Sequence, residues 1–261
     1  MVDECKLHIQ SDCIYVKEVN AANACIVEAK LPKHIFESGS YQVKEPVVVG
    51  LDIIEYIRIF RDDYSDDDVF SLSLLEPVGE CMPKLRTVIE GQNIFFGDVR
   101  YDYTTLKIES IRKSPKIPDI MKDLPLEITM PLEFFKRGVQ AVNNIGGEYV
   151  YIGMNFNNSE TPVLFITNSN DAMAVSCTKI SAHHLPGFEH HDYGNHPYPT
   201  GISVIQTLYS IDYIKDILDG FLKYGDKNIK LNLGTDWPGI FSTDDDKGLE
   251  LKYMLSPRIE C

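Results

Sequence analysis

No stretch of this sequence approaches the roughly 18 consecutive apolar residues that a membrane-spanning helix needs. Its opening, Met1-Val2-Asp3-Glu4-Cys5, has neither a basic n-region nor an apolar h-region, so a cytoplasmic location is expected. Phosphate-cradling loops are missing: there is no Gly-x-x-x-x-Gly-Lys-Ser/Thr and no Gly-x-Gly-x-x-Gly. A Gly-x-Ser-x-Gly nucleophile elbow is missing as well. The acidic run Asp62-Asp63-Tyr64-Ser65-Asp66-Asp67-Asp68 lacks the spacing and terminal glutamate of an EF-hand. It reads as a solvated turn, as does Asp244-Asp245-Asp246 in a hairpin. The six cysteines (Cys5, Cys13, Cys25, Cys81, Cys177 and Cys261) are scattered, with no Cys-x-x-Cys pair. That argues against both a disulfide framework and a zinc site, and inert or buried thiols are expected. Positive charge is short too: 25 Lys and Arg face 39 Asp and Glu, for a net charge of −14. A general nucleic-acid coat would carry a basic face, so that class is excluded. A local basic lining on an acidic body is not.

Apolar residues make up 44% of the 261, enough to build a core in one large domain or two ordinary ones. The chain also repeats itself. Ile54-Glu55-Tyr56-Ile57-Arg58 corresponds to Ile211-Asp212-Tyr213-Ile214-Lys215, each within an amphipathic helix. In the second helix Ile214, Ile217, Leu218 and Phe221 fall on one stripe at i, i+3, i+4 and i+7. Each helix is followed by an acidic turn and an alternating strand, Val69–Leu74 in one half and Ile229–Leu233 in the other. Such alternation suits an antiparallel sheet covered on one side.

The second half reads further as a strand, Leu126–Met130, then a helix. Pro131 suits its first turn, and Leu132, Phe135, Val139 and Val142 form its stripe. Strands follow over Tyr149–Phe156, Val163–Thr167 and Ala172–Lys179, with turns at Gly146-Gly147 and Asn168–Asp171. The first half shows the same order: Lys6–Gln10, Cys13–Val19 and Ala24–Leu31 as strands, then Val47–Leu51 and a helix from about Asp52 to Asp62. It has no counterpart of the opening strand and helix, so the expectation is that the first domain lacks them. Between the halves, Glu109–Asp119 carries two prolines and mixed charges, as an extended connector does. The domains are therefore expected at 1–108 and 126–261, joined by a connector over 109–125.

The C-terminal run Leu251-Lys252-Tyr253-Met254-Leu255-Ser256-Pro257-Arg258-Ile259-Glu260 is the most specific segment. Pro257 cannot donate to a sheet ladder, so a strand must end there and pass into an extended tail. This segment resembles the C-terminus of archaeal and eukaryotic sliding clamps of the proliferating cell nuclear antigen (PCNA) family. Other segments resemble the same family in the same order. These are Val2–Lys6; the loop Val19-Asn20-Ala21-Ala22-Asn23, with Asn20 where Asp is usual; Pro115-Lys116-Ile117-Pro118-Asp119; Met130-Pro131; and the turn Gly234-Thr235-Asp236-Trp237-Pro238.

The resemblance implies an α+β protein of two similar clamp domains, the DNA clamp fold, with antiparallel sheets outside and helices on the inner face. It implies a DNA polymerase sliding clamp, archaeal in type: a ring, usually a homotrimer, that encircles duplex DNA without reading its sequence. Such a processivity factor catalyses nothing and holds no cofactor. It is loaded by a clamp loader and tethers DNA polymerase and other proteins that carry a PCNA-interacting peptide, Gln-x-x-aliphatic-x-x-aromatic-aromatic. The peptide groove it implies is lined by Val19, Asn23, Ile26, Ile117, Trp237, Pro238, Tyr253, Leu255, Pro257 and Ile259. For Ile26, Tyr253 and Leu255 plain core packing is an equal alternative. The cations it implies on the DNA side are Arg58, Arg61, Lys136, Arg137, Lys215 and Lys223, which could equally be ordinary solvated helix charges. Subunits would join between the strand near Tyr101–Ile108 and the strand near Ala172–Lys179 of a neighbour. A specialised paralogue in a heteromeric ring is an alternative within the family.

Another reading is a metal-binding protein or metal-dependent enzyme. Five of seven histidines, His183, His184, His190, His191 and His196, fall in the segment Ser181–Thr200. Neutral imidazoles suit zinc, nickel or copper, but neighbouring histidines on a loop converge only with supporting groups. The segment is otherwise expected to be a solvated insertion, with Gly187–His196 deletable without loss of folding or peptide binding.

Overall fold

A computed structural model describes residues 3–58, 68–75, 82–91, 98–111, 124–157, 162–168, 174–190, 203–225, 227–243 and 248–258. In chain order the first elements are β1 (Glu4–Ile9), β2 (Cys13–Val19), β3 (Cys25–Pro32), β4 (Val47–Asp52), the short helix α1 (Ile53–Ile57), β5 (Val69–Leu75), β6 (Lys84–Glu90) and β7 (Asp98–Thr104). Then come β8 (Leu126–Pro131), α2 (Leu132–Asn144), β9 (Tyr149–Asn155), β10 (Val163–Asn168), β11 (Cys177–Ser181) and β12 (Gly187–His190). The last are β13 (Val204–Ser210), α3 (Ile211–Tyr224), β14 (Asn228–Leu233), β15 (Gly239–Thr243) and β16 (Glu250–Leu255).

The chain folds as two compact units, one of residues 1–18 and 32–114, the other of 19–31 and 115–261. Strand β3, placed by sequence in the domain 1–108, packs with the second unit because it pairs antiparallel with β16, Met254 opposite Ile26. Chain order alone carries no signal for such a long-range pairing.

In the first unit β2, β1 and β4 are neighbours in that order, and β5, β6 and β7 form a three-stranded sheet. Cys5, Leu51 and Leu85 are its buried centre, with Ile53, Tyr56 and Tyr103 packed against them. Helix α1 begins at Asp52, whose carboxylate accepts a hydrogen bond from the Glu55 N–H at 2.9 Å, a side-chain cap on an otherwise unpartnered donor. In the second unit β12, β8, β14, β15, β16 and β3 are successive antiparallel neighbours, and β11, β10, β9 and β13 form a second sheet. Both expected helical stripes are buried there: Leu132, Phe135, Val139 and Val142 of α2, and Ile214, Ile217, Leu218 and Phe221 of α3. Pro131 stands one residue before α2, and the Leu132 N–H that follows donates to the Lys227 carbonyl at 2.8 Å. Gly225 ends α3 in the left-handed region at φ 85°, where a side chain would strain the backbone.

Three expectations are corrected. The Ser181–Thr200 segment is not simply a solvated insertion. Its residues Gly187–His190 are β12, paired with β8 in register Phe188 opposite Ile128. Phe188 packs against the main core, 6.2 Å from the Phe156 ring. Deleting Gly187–His196 would strip the β8 edge, so the fold would not be indifferent to it. The strand expected from Ala172 begins only at Cys177, and the one expected from Tyr101 starts earlier, at Asp98.

Burial sets a pH limit on this fold. The Cys5 thiol is pushed up from an ordinary value near 9 to about 12 by desolvation and then by the Glu18 carboxylate. Cys25 is likewise pushed up to about 12, by desolvation and then by Asp216. Both raised values mean that the native state keeps protons the unfolded chain gives up. Stability from these thiols is therefore whole below about pH 9 and falls between about pH 9 and about pH 12, by up to about 1.4 kcal/mol per pH unit for each. Denaturant midpoints measured across that range should fall steeply, and a Cys5→Ala/Cys25→Ala double variant should show a shallower slope. An identical slope would show that other groups carry the alkaline limb.

Candidate functional site

Period-2 alternation decides which groove residues can meet a partner. On β16, Tyr253 and Leu255 point to one face and Met254 to the other. Tyr253 packs edge-on against Phe221 of α3, ring centroids 5.6 Å apart, and Leu255 is 1% exposed. A Cβ added at Gly220 would meet the Tyr253 hydroxyl. Tyr253 and Leu255 are thus core residues, as are Cys25 and Val27 on β3 and Phe241 on β15. Core packing, the alternative reading for these two residues, is the one the structure shows.

The opposite face gains others. Met254 lies directly across from Ile240 on β15 and from Ile26 on β3. The three form a cross-strand apolar row, and Leu124 and Trp237 pack onto it as a cluster separate from the main core. Ile26 and Trp237 are only half-buried, so they present apolar surface. Sequence reasoning named Ile26 and Trp237 but missed Met254, Ile240 and Leu124. The alternation of Leu251, Tyr253 and Leu255 against Lys252 and Met254 was the signal that could have found Met254.

The elements around this row are held tightly. Asn20 is 4% exposed, and its side-chain carbonyl accepts from the backbone N–H groups of Ala24 (2.8 Å) and Cys25 (3.1 Å). The turn brings Asn23 to φ 55°, exposed, just before β3. Val19 is half-buried at the end of β2. Asp236 at φ 59° and a Trp237 N–H bond to the Gly234 carbonyl (3.2 Å) shape the turn that delivers Trp237 and Pro238 into β15. Past β16, Ser256 N–H donates to the Ala24 carbonyl and Arg258 N–H to the Leu208 carbonyl, both at 2.8 Å. Pro257, which has no N–H to place, sits between them. The Arg258 guanidinium carbon lies 5.7 Å from the centre of the Tyr149 ring. Ile117 and Ile259 lie outside the described residues, as does Arg61.

The expected cations sit on helices. Arg58 caps α1 and is exposed. Lys136 on α2 pairs with Glu133 at 3.6 Å, and Arg137 beside it is exposed. Lys215 on α3 pairs with Asp212 at 3.6 Å. The solvent side of α3 also carries Asp216 and Asp219 beside Lys223. Positive charge here is thin and partly offset by acids.

His183 and His184 are exposed in a single helical turn after β11. His191 and His196 lie outside the described residues, as does the side chain of His190. Among the described residues no three His, Cys, Asp or Glu side chains are grouped to hold a metal ion, and no helix is long and apolar enough to cross a membrane.

No protein-family model matches the chain. Curated proteins and solved structures do. A DNA polymerase sliding clamp of Methanocorpusculum labreanum is 28% identical over 263 aligned positions, spanning all of this chain and 92% of that protein. The PCNA of A. fulgidus, solved with the C-terminal region of FEN-1 bound, superposes with a TM-score of 0.75 at 24% identity, over 100% of this chain and 91% of that one. Along its whole length the chain is similar to DNA polymerase sliding clamps of archaea, and its fold is that of PCNA structures. A PCNA2–PCNA3 complex from Sulfolobus tokodaii shares the fold as well, with a TM-score of 0.74 at 14% identity, over 99% of this chain and 92% of that one. Within the clamp fold, the Ile240–Met254–Ile26 row and the anchored tail beside it form the one described surface where expected partner-groove residues converge.

Proposed function

We propose that this chain is a subunit of a DNA polymerase sliding clamp. It would be a non-enzymatic cytoplasmic ring that encircles duplex DNA and tethers replication and repair enzymes. Its observational support is the outward apolar row of Ile26, Ile240 and Met254 on a fold shared with clamps along the whole chain. An extended peptide laid beside the Ser256–Arg258 tail would set its aliphatic and aromatic side chains against Met254, Trp237 and Pro238, with Ile117 and Ile259 contributing from outside the described residues. The domains in chain order are 1–108 and 126–261, with 109–125 as connector.

Subunits would join through β7 and β11, which are end strands of their sheets. Arg58, Arg61, Lys136, Arg137, Lys215 and Lys223 would face the DNA and offset phosphate repulsion without gripping. The clamp loader would open and close the ring. Native mass measurement at micromolar concentration should give three times the 29.6 kDa of one chain. A monomer only would refute the homotrimer. A mass reaching three subunits only with a second clamp chain would favour the heteromeric reading, which the PCNA2–PCNA3 neighbour brings into view.

A further inference from the structure

Although the chain carries a net charge of −14, one face of the first unit's three-stranded sheet gathers cations. Strand alternation sets which side chains share that face. Lys84, Arg86 and Val88 of β6 point away from Leu85, Thr87 and Ile89, which are buried. The register places Thr104, Asp102 and Arg100 of β7 opposite them. Over three successive rows, three cations therefore meet one carboxylate.

Asp102 is the hub of this group. Its Oδ1 accepts from Arg86 Nε at 2.7 Å and its Oδ2 from Arg86 Nη2 at 3.0 Å. Arg100 reaches the same two oxygens at 3.4 and 3.0 Å. The hydrogen bonds from Arg86, and then those from Arg100, hold the Asp102 carboxyl well below the usual carboxylate range. A guanidinium has five N–H groups, and Asp102 takes two from each, so three on each are left for another acceptor. The Arg100 side chain is 58% exposed and that of Arg86 26%. Lys84, one row along, is exposed and makes no ion pair among the described residues. A lone surface ion pair asks for no ligand. Here one carboxylate orients two planar forks while offsetting the charge of only one, and the face keeps a surplus of two positive charges. The surplus is bounded. The next row pairs Glu90 with Asp98, two acids on the same face.

We propose that the face formed by Lys84, Arg86 and Arg100 docks an acidic, extended segment of a partner protein, with Asp or Glu at alternate positions. Alternate side chains of an extended chain share one side at a spacing of about 7 Å, which is also the spacing of successive same-face rows on β6. One carboxylate meets Lys84, the next the unused donors of Arg86, and the third those of Arg100. The guanidinium forks match carboxylates in geometry as well as in charge. Glu90 and Asp98 repel an acid placed one row too far, which fixes the register of the segment. A nucleic-acid backbone is the poorer occupant. It is a continuous polyanion and would carry its charge past this short face onto Glu90 and Asp98 and over an acidic body. The cations stand on the face of the sheet, so a strand paired at the β7 edge does not take their place. The site is also distinct from the peptide row on the second unit, and either can fail without the other.

The test uses the full chain at about 0.15 M salt, where exposed charges further off than about 8 Å are largely screened. A fluorescein-labelled peptide of alternating glutamate and serine is titrated and read by anisotropy, beside the same peptide with glutamine for glutamate. The glutamate peptide should bind at least about tenfold more tightly than the glutamine peptide. An Arg86→Gln/Arg100→Gln double variant should weaken it at least about tenfold. Lys84→Gln, which breaks no ion pair, should weaken it about threefold with the melting temperature unchanged. Unchanged affinity in both variants overturns the proposal. So does equal binding of the glutamine peptide, or no saturable binding of the glutamate peptide below about 1 mM. So does an oligothymidylate that binds more tightly than the glutamate peptide and displaces it, which would identify nucleic acid as the occupant.

Discussion

Replacing Ile26 with aspartate should weaken binding of a Gln-x-x-aliphatic-x-x-aromatic-aromatic peptide by at least about thirtyfold, roughly 2 kcal/mol in calorimetry. Ile26 stands at the rim of the cross-strand row, opposite Met254 and only half-buried. A carboxylate there would keep its water in the free protein, so the fold should survive. Binding would then require that charge to be desolvated against the peptide's apolar side chains, with no cation of the row to answer it. Lys252, two residues before Met254 and on the same face of β16, lies opposite Glu28, two register pairs from the Met254–Ile26 pair. The melting temperature reads the control. If it stays within a few degrees and affinity is unchanged, the groove is not at this row. Val27→Asp is no substitute variant, because Val27 packs against the main core and its charge would be buried.

Much of this fold was legible because its signals are local. The α2 and α3 stripes and the break at Pro257 follow from periodicity and from what proline cannot do, whereas the Gly234–Pro238 turn rested on the family resemblance. The repeat supplied strand order in both halves. What stayed hidden was non-local. Nothing adjacent in sequence says that β3 pairs with β16, or that Gly187–His190, read as part of a histidine-rich loop, pairs with β8. A run of histidines drew the reading toward metal chemistry, while the lone Phe188 that fixes the strand carried a weaker signal. The groove was half-legible for a related reason. Its residues were named from a family pattern, which gives neighbourhoods, whereas the face on which each side chain lies is set by alternation. Tyr253 and Leu255 lie on the core face of β16 on that account, and Met254 on the other.

Leu231→Ala should cost about 2–5 kcal/mol of stability, while Leu72→Ala, at the matching place in the repeat, should cost about 1 kcal/mol or less. The two leucines occupy equivalent strands, and both face inward. Leu231 is 0% exposed between Ile128 on β8 and Phe241 on β15, so truncation opens a cavity in a packed interior. Leu72 is 44% exposed opposite Thr87, so nearly half of its surface is already in water and no closed cavity is left behind. At about 2–4 °C of melting temperature per kcal/mol for a chain of this size, the first variant should melt about 4–20 °C lower and the second at most a few degrees lower. Far-ultraviolet circular dichroism and denaturant titration would read both. Equal losses would mean that β5 is covered as fully as β14 in solution, by a second copy or by a rearranged segment of the chain. A small loss at Leu231 would mean that the second unit is not packed around β14 as described. The asymmetry also sets which unit limits the chain: the one whose matching leucine is half in water has less buried surface to hold it closed, and it should open first on heating.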